Sequence, residues 1–360
     1  MSLADWMHGY DARDWQTTTE GTVRYALIGL GWWTTDVAMP AIEESTLGET
    51  TVLVSGSGEK ADRLAERHDV DHGITYDQYH DGVAADAYDA VYVATPNAFH
   101  REYVETAAER DKGILCEKPM EATVERAEGL VEACERADVP LMVAYRMQTE
   151  PAVRRARELI EEGVIGEPVQ AYGDNTQPLL EMIPDADQWR LTPDLTGYGT
   201  SVMDLGIYSI NTTRYLLDRE PLSVQANMAS GHPAFEGLDD ERSSFLMAFE
   251  DDIQFVSTAS QRAHQDTQLK ITGTDGQIEL RPAFHGEAAL RVAADDLELE
   301  IAHETNDEVD EMREEFDYFA DRMLTGAEIE PDGRHGLRDL EIIEAIHRSA
   351  EVKEAIDVSR

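Results

Sequence analysis

Lys118 is a residue whose type and position could support catalysis. The chain has only five lysines in 360 residues, and this one comes two residues after an apolar run at 113–116. Such a run predicts a buried strand, and open parallel sheets bind their ligands at the carboxyl ends of their strands. We therefore expect the Lys118 ammonium to lie beside a reacting carbon.

Asp204 and Tyr208 stand four residues apart in a segment predicted to be helical over residues 200–217. That spacing places both side chains on one helix face. Oxidation of an alcohol needs a base for the hydroxyl proton while the hydride leaves. A tyrosine with a pKa near ~10 is a poor base at neutral pH unless a cation stabilises its phenolate. Lys118 is the obvious cation, so the three residues predict an acid–base unit.

A glycine turn near the start of the chain predicts a dinucleotide site. The apolar run at 23–28 leads into Gly29-Leu30-Gly31-Trp32-Trp33-Thr34, which matches the phosphate fingerprint except that Thr34 replaces the third glycine. The first two glycines allow a tight turn and close approach of a pyrophosphate to a helix N-terminus, and a small residue suffices for the third role. The motif follows a predicted strand and opens a predicted helix, which is the context that supports it.

The end of the second predicted strand indicates NADP as the cofactor. Enzymes that use NAD place a carboxylate there for the ribose 2′-hydroxyl. This chain has Ser55 and Ser57 instead, followed by Lys60. Two hydroxyls and an ammonium suit a 2′-phosphate, although Lys60 could equally be a surface residue.

Two further segments are expected near the site. Thr95, Pro96 and Asn97 follow the predicted strand at 89–93, where Asn97 could also be a helix N-cap. One helical turn later, His100 could contact substrate or only fill a packing position. In the second half of the chain, the loop Gln188-Trp189-Arg190 precedes the predicted Asp204 helix.

The elements that must position these residues alternate between short strands and amphipathic helices up to about residue 147. Strands are predicted at 23–28, 51–54, 89–93, 113–116 and 140–144, with helices at 59–68, 98–109 and 124–137 between them. This alternation is typical of a doubly wound parallel sheet, that is, of an α/β Rossmann domain. We assign residues 1–22 to an N-terminal arm and 23–147 to the NADP-binding domain.

Residues 148–360 are predicted to form an α+β domain for substrate binding and oligomerisation. After a helix at 152–162, strands are predicted at 169–172, 223–228, 243–249, 253–259 and 269–280, the last broken by a glycine turn at 273–276. Helices at 308–324 and 336–350 end the chain and could pack back on the first domain.

Composition excludes several partner classes. With 74 acidic and 30 basic residues, the formal net charge is −44, which repels nucleic acid and anionic membranes. No stretch approaches the ~18 apolar residues of a membrane span, and no secretion signal is visible. Cys116 and Cys134 have no metal-ligand spacing, so we expect no metal site and reduced thiols in a cytoplasm.

Several of these motifs together resemble the family named for glucose-fructose oxidoreductase, inositol dehydrogenase and rhizopine catabolism proteins (Gfo/Idh/MocA). The resemblance covers residue 23 to the C-terminal helices. It depends on the glycine turn, Thr95-Pro96-Asn97 with His100, Glu117-Lys118-Pro119, Tyr145-Arg146, Gln188-Trp189-Arg190-Leu191 and the segment 203–208. Many relatives have histidine where this chain has Tyr208.

The resemblance implies a cytoplasmic, NADP-dependent sugar dehydrogenase without a metal. It would oxidise C1 of an aldopyranose to the lactone, with D-xylose as first choice and D-glucose as second. Tyr208, Lys118 and Asp204 would be catalytic, and these three with Arg146 would bind the sugar. The expected cofactor contacts are Gly29, Leu30, Gly31, Trp32, Trp33, Ser55, Ser57, Lys60, Thr95, Pro96, Asn97, His100, Glu117, Lys118, Arg146, Trp189 and Arg190.

Two other functions use the same residues or the same fold. The first is reduction of a ketose or dicarbonyl sugar, or oxidation of a trans-dihydrodiol. The second is an NADP-sensing regulator without turnover, which would need neither a cation nor a base at the hydride site.

The resemblance also implies an open-faced, mostly antiparallel sheet in the second domain. One face would cover the active site, and the other would pair subunits into a homodimer or homotetramer. The strands at 243–259 are too apolar to be wet on both faces, which agrees with such pairing.

The acidic composition generates a first prediction, about salt. Because 44 excess negative charges repel one another, screening by molar salt should raise the melting temperature substantially compared with low salt. Differential scanning calorimetry across a salt series measures this, with an uncharged osmolyte as control. An unchanged melting temperature would show that the acidic residues are no adaptation to salt.

Overall fold

The first sheet is parallel and six-stranded. The computed structural model describes residues 13–286, 288–294, 297–302 and 307–358. The strand order is β3-β2-β1-β4-β5-β6, so the order reverses between β1 and β4, as in a doubly wound fold. The strands are β1 (Val23–Ile28), β2 (Gly48–Ser55), β3 (His72–Thr75), β4 (Ala90–Val93), β5 (Gly113–Glu117) and β6 (Leu141–Ala144).

Both faces of this sheet are buried, which explains why its strands are almost continuously apolar. Side chains alternate along β1: Ala26 and Ile28 enter one hydrophobic core, whereas Tyr25 and Leu27 enter the core on the opposite face. The helices that follow the strands are α1 (Met39–Glu44), which continues a π-helical turn at Thr34–Ala38, then α2 (Gly58–His68), α3 (Tyr76–His80), α4 (His100–Ala108) and α5 (Val124–Ala137).

The second sheet has nine strands in the order β14-β13-β12-β11-β7-β10-β9-β8-β15. All neighbours are antiparallel except β7 and β10, so the predicted α/β plus α+β fold class is confirmed. The strands are β7 (Pro168–Thr176), β8 (Pro221–Ala229), β9 (Arg242–Phe249), β10 (Gln254–Ser260), β11 (Asp266–Gly273), β12 (Gly276–Leu280), β13 (Ala289–Ala294), β14 (Leu297–Ala302) and β15 (Ile356–Asp357).

The helical segments after β6 are α6 (Pro151–Glu161), the short α7 (Leu179–Met182) and α8 (Pro193–Thr196), and α9 (Ile207–Leu217), which continues a π-helical turn at Val202–Gly206. Of these, α6 and α9 pack on the inner face of the second sheet. The α9 segment packs closely on the sheet because Gly173 has no side chain: a Cβ there would lie 2.7 Å from Ser209 Cβ. Ser209 also hydrogen-bonds Ser257, with 2.8 Å between the hydroxyl oxygens.

The N-terminus of the π-helical turn is held by a buried carboxylate. Asp240 accepts hydrogen bonds from the Thr200 and Val202 N–H groups at 2.7 and 3.0 Å. These N–H groups have no partner within the helix. Asp240 therefore fixes the start of the segment that carries Asp204 and Tyr208.

The last two helices, α10 (Glu308–Thr325) and α11 (Gly333–Val352), return to the first sheet. Phe316 packs edge-on against Tyr25 and Tyr92, with ring centroids 5.3 and 5.1 Å apart. On α11, a Cβ on Gly336 would lie 2.6 Å from Val143. The end of the chain thus packs against the sheet that begins it.

The described part of the N-terminal arm also packs on α10. Trp15 lies edge-on against Tyr318 at 5.4 Å, and the N–H groups of Thr17 and Thr18 donate to Asp321. Residues 1–12 lie outside the described residues. Among those described, no helix is long and apolar enough to span a membrane, and no cluster of three or more His, Cys, Asp or Glu could hold a metal.

Candidate active site

A cavity of about 490 Å³ lies between the carboxyl ends of the first sheet and the inner face of the second. It brings together the predicted residues Gly29, Leu30, Gly31, Trp32, Trp33, Ser55, Lys60, Thr95, Pro96, Asn97, His100, Glu117, Lys118, Arg146, Trp189, Arg190, Asp204 and Tyr208. Ser57 is the exception: it is exposed, and its hydroxyl caps α2 by accepting from Lys60 N–H at 3.2 Å.

A second cavity of about 570 Å³ lies beside α10 and α11 and contains none of these residues. Its arginines are paired with carboxylates, for example Arg214 with Glu220 and Asp339, and Arg338 with Glu220. We therefore place the chemistry in the smaller cavity.

The glycine turn has the geometry that a dinucleotide needs. Gly29 has φ +93°, and a Cβ there would lie 2.6 Å from the Ala94 carbonyl oxygen, so other residues do not fit. Beside Gly31, by contrast, the space is open. Thr34 replaces the third glycine without a clash, because its buried hydroxyl donates to the Gly29 carbonyl at 2.6 Å. The turn therefore fits a bound pyrophosphate.

The far end of the cavity is built by Ser55, Lys60 and Tyr76. Ser55 ends β2 and is buried, while Lys60 Nζ reaches back to donate to the Leu30 carbonyl. Sequence analysis did not identify Tyr76, which packs against Gly56: a Cβ on that glycine would lie 3.2 Å from the Tyr76 ring. The signal for it was an aromatic residue directly after β3. The cluster offers two hydroxyls and an ammonium.

Asn97 and His100 hold backbone segments in place. Asn97 does not cap a helix; its amide donates to the Thr196 carbonyl at 2.9 Å and so links the first sheet to the loop before Asp204. The buried His100 ring lies between two carbonyl oxygens, Thr95 O at 2.8 Å and Met120 O at 3.2 Å. Since both ring nitrogens face acceptors, His100 packs the loop and is not placed to take a substrate proton.

Lys118 contacts both other members of the predicted acid–base unit. Its Nζ donates to the Asp204 carbonyl at 3.0 Å, lies 3.4 Å from Asp204 Oδ1, and lies 4.4 Å from the centroid of the Tyr208 ring. The carboxylate of the preceding residue, Glu117, has partners outside the acid–base unit. Its Oε1 accepts from the Tyr92 hydroxyl at 2.5 Å and from Trp33 Nε1 at 3.2 Å. Glu117 thereby fixes the strand end that presents Lys118.

Asp204 is largely buried and surrounded by donors. Arg190 Nε lies 3.2 Å and Gln261 Nε2 3.0 Å from Oδ2, while Lys118 faces Oδ1. Burial raises the pKa of Asp204, but Arg190, Lys118 and the Gln261 hydrogen bond together outweigh burial, so the pKa lies well below its usual range. Asp204 therefore stays ionised and acts only as a hydrogen-bond acceptor.

Tyr208 is 8% exposed, and Lys118 lies over its ring face. Burial raises the pKa of Tyr208 more than Arg146 and Lys118 together lower it. In this arrangement the phenol is protonated at neutral pH. A phenolate stabilised by Lys118 therefore stays a prediction, because Lys118 lowers the pKa of Tyr208 while burial raises it.

Arg146 lies in the wall of the cavity, 5% exposed. Its Nε is 2.8 Å from Glu311 Oε2, one terminal nitrogen donates to the Phe284 carbonyl at 3.0 Å, and the guanidinium lies 4.9 Å from the Trp33 ring centroid. Burial raises the pKa of Glu311 to about 8, which Arg146 opposes. These contacts give Arg146 a positioning role in this state.

Several lining residues were not predicted because no motif carries them. They come from strand ends and loops of the second sheet and from the start of α10, and they are Gln177, Leu179, Met182, Ile183, Gln265, His285 and Glu308. Four of them lie in the segment 177–183, whereas Gln265, His285 and Glu308 come from later parts of the sequence, and only folding brings these four regions together.

Comparison with known proteins agrees with this geometry. D-xylose 1-dehydrogenase (NADP+) of Haloarcula marismortui is 51% identical over 353 residues, 97% of either protein. D-xylose 1-dehydrogenase (NADP+) 2 of Haloferax volcanii is 30% identical over 331 residues, 89% of this chain and 95% of the relative. The structure of aldose-aldose oxidoreductase from Caulobacter crescentus, complexed with glycerol, superimposes with a TM-score of 0.85 at 29% identity, over 94% of this chain and 100% of that one.

Both halves of the chain match family models. Residues 23–145 match the oxidoreductase family with an NAD-binding Rossmann fold, and residues 153–279 match the GFO/IDH/MocA C-terminal domain. The glycine turn, the lysine at the end of β5 and the Asp204–Tyr208 segment thus lie in one cavity of a chain that belongs to the Gfo/Idh/MocA family of oxidoreductases.

Proposed function

We propose that this enzyme oxidises C1 of an aldopyranose to the aldonolactone, with D-xylose as the first choice of substrate and D-glucose as the second. The observation that carries the proposal is that Lys118, Asp204 and Tyr208 lie together in the cavity that the glycine turn also lines. The D-xylose dehydrogenase that shares 51% of its residues supports the choice of sugar. The first test is NADPH absorbance after mixing the protein with NADP+ and a panel of aldoses in molar salt.

We infer that NADP is the cofactor and that Ser55, Lys60 and Tyr76 hold its 2′-phosphate. The carboxylates of the cavity, Glu117, Asp204 and Glu308, belong to other parts of its wall. A carboxylate at the end of β2 would repel a phosphate, whereas the hydroxyls and the ammonium attract it. The N-terminal arm (1–22), cofactor domain (23–147) and substrate domain (148–360) are retained as our proposed division of the chain.

Each catalytic residue has a role that its contacts support. Bound NADP+ would supply the hydride acceptor for C1. For oxidation Tyr208 must first lose its proton, and Lys118 can leave Asp204 Oδ1 to stabilise the resulting phenolate. The phenolate oxygen then accepts the C1 hydroxyl proton as C1–O becomes a carbonyl, while Asp204, held by Arg190 and Gln261, accepts a hydrogen bond from a sugar hydroxyl.

One observation favours a second candidate, reduction of a ketose or dicarbonyl sugar. The raised pKa of buried Tyr208 keeps its proton in place at neutral pH. A protonated tyrosine is the donor that carbonyl reduction needs. The same residues would therefore act in the reverse direction. This candidate is supported if the enzyme oxidises NADPH in the presence of a sugar carbonyl but reduces NADP+ with none of the aldoses.

We also propose that the enzyme is cytoplasmic and pairs through the outer face of the second sheet. Cys116 and Cys134 are free and buried, which suits a reducing compartment. On the outer face, Tyr172, Val256 and Leu246 stand side by side in register and are 39–48% exposed. An exposed apolar row of this kind suits a self-complementary contact.

Tyr208→Phe should lower kcat for the best aldose by about two to four orders of magnitude, because the hydride step loses its base. Lys118→Ala should do the same, and the double variant should lose little more, since the two residues act as one unit. Wild-type activity should rise from neutral toward alkaline pH, because the raised pKa of Tyr208 leaves little phenolate at neutral pH.

Steady-state kinetics and NADP+ titration test this prediction. The control is Tyr88→Phe, because the buried Tyr88 hydroxyl has no hydrogen-bond partner in the part of the chain that the structure describes and lies outside the cavity. Its kcat should be unchanged. A Tyr208→Phe enzyme within about threefold of wild type would place the base elsewhere.

Ser55→Asp should narrow or reverse a preference for NADP over NAD of at least about tenfold in kcat/KM, or ~1.4 kcal/mol, by placing a carboxylate against the 2′-phosphate. Ser55→Ala is the matched control and should change the ratio less, because it adds no charge. Equal use of NAD and NADP by the wild type would contradict the assignment.

Light scattering in molar salt should show a dimer or tetramer, and Val256→Asp should dissociate it by burying a charge in the apolar contact. The control is Val83→Glu, because Val83 is similarly exposed, at 42%, but lies outside the second sheet. A monomeric wild type, or an assembly indifferent to Val256→Asp, would refute pairing through this face.

A further inference from the structure

His285 lies in the wall of the active-site cavity, in the loop between β12 and β13. Its ring is edge-on to Tyr208, with centroids 5.2 Å apart. The loop is held from both sides: Ala283 N–H donates to the Thr267 hydroxyl at 2.9 Å, and Phe284 O accepts from Arg146 at 3.0 Å. The imidazole therefore has a defined place beside the proposed reacting atoms.

Arg146 determines which ring nitrogen of His285 carries the proton. The guanidinium nitrogen that binds Phe284 O also lies 3.0 Å from His285 Nδ1. A guanidinium only donates, so Nδ1 must accept. In the neutral ring the proton is then on Nε2.

The ring is neutral across the physiological range. Burial lowers the pKa of His285 to about 3, with further lowering by Arg146 and Lys118 and an opposing effect of Asp204. Among the described residues, the titratable and charged groups that face it are Arg146, Lys118, Asp204 and Tyr208. His285 is thus unsuited to act as an acid or a base at neutral pH.

The Nε2 atom is buried and has no hydrogen-bond partner among the described residues. A buried donor without an acceptor is unfavourable, and proteins rarely keep one without a reason. The His285 side chain lines the same cavity as the Asp204 carboxylate, which only accepts. The pair presents one fixed donor and one fixed acceptor around Tyr208.

We propose that His285 is a specificity-determining residue that donates its Nε2–H to an oxygen of the bound sugar. Together with the Asp204 carboxylate, it selects a sugar whose oxygens present an acceptor on one side of C1 and a hydroxyl donor on the other. This inference rests on the proposed function, because the acceptor is an oxygen of the substrate. It assigns a recognition role to a residue outside every motif of the sequence.

The first experiment compares sugars that lack single oxygens. The values of kcat/KM are measured for D-xylose, its 2-, 3- and 4-deoxy analogues and its 5-thio analogue, with wild type, His285→Phe and His285→Gln. Wild type should lose about five- to tenfold with one analogue, the size of one neutral hydrogen bond. The wild-type loss should appear mainly as a higher KM. His285→Phe should have the same kcat/KM for D-xylose and for that analogue, and His285→Gln, whose amide can replace Nε2–H, should recover part of the discrimination.

The outcome that would overturn the proposal is a His285→Phe enzyme that discriminates among the analogues as the wild type does. Tyr88→Phe serves again as a variant outside the cavity and should leave the whole pattern unchanged.

A second measurement does not depend on turnover. In ¹⁵N-histidine NMR spectra, with the His285 signal identified by its absence in His285→Phe, the ring should be the Nε2–H tautomer and should not titrate between about pH 5 and 8. Titration in that range, or the Nδ1–H tautomer, refutes the inference even if the enzyme oxidises aldoses. An enzyme with the expected tautomer that oxidises no aldose refutes the proposed function, and with it the sugar as acceptor.

Discussion

The contact between the Lys118 ammonium and Asp204 is the interaction on which the site depends. Lys118 directly follows β5 of the first sheet, Asp204 lies in the π-helical turn at Val202–Gly206, and both are largely buried. Burying two charges costs desolvation free energy, which is offset only when the remaining hydrogen bonds are satisfied. Here Arg190 and Gln261 satisfy the second carboxylate oxygen. The ion pair therefore joins the two sheets and at the same time keeps a cation beside Tyr208.

A second constraint on the site is the set of contacts that Arg146 makes in the cavity wall. Arg146 connects Glu311 on α10, Trp33 in the glycine turn and the loop of Phe284 and His285. These segments lie far apart in sequence, but all three contact the Arg146 guanidinium. A displacement of any one of them would therefore alter the position of Arg146 and its contacts with the other two. The packing of α10 on the first sheet, with Phe316 against Tyr25, therefore also fixes the position of Glu311 beside Arg146 in the cavity wall.

Charge is distributed unevenly in this molecule. The chain has a formal net charge of −44, yet four of its 30 basic residues, Lys60, Lys118, Arg146 and Arg190, line the active-site cavity. A cleft with fixed cations attracts an anionic ligand, and the surrounding acidic surface makes that attraction local. An acidic exterior is thus compatible with a site for a phosphorylated dinucleotide.

The sequence alone determined the elements whose signal is local. Strand and helix alternation predicted the first sheet, and the glycine turn was recognised from a short local motif. The strands β3 and β15 were not predicted, since they have only four and two residues and depend on pairing with other strands. The hairpin of β13 and β14 was also not predicted. Lys118, Asp204 and Tyr208 were identified from their residue types and spacing.

Tertiary structure decided which partner each of these groups has. Lys118 binds Asp204 and lies over the Tyr208 ring, Ser57 caps a helix, and His100 lies between two backbone carbonyls. His285 and Tyr76 enter the cavity without any motif. The physical reason is that hydrogen bonds and ion pairs depend on distances of a few ångström between segments remote in sequence, which spacing along the chain does not encode.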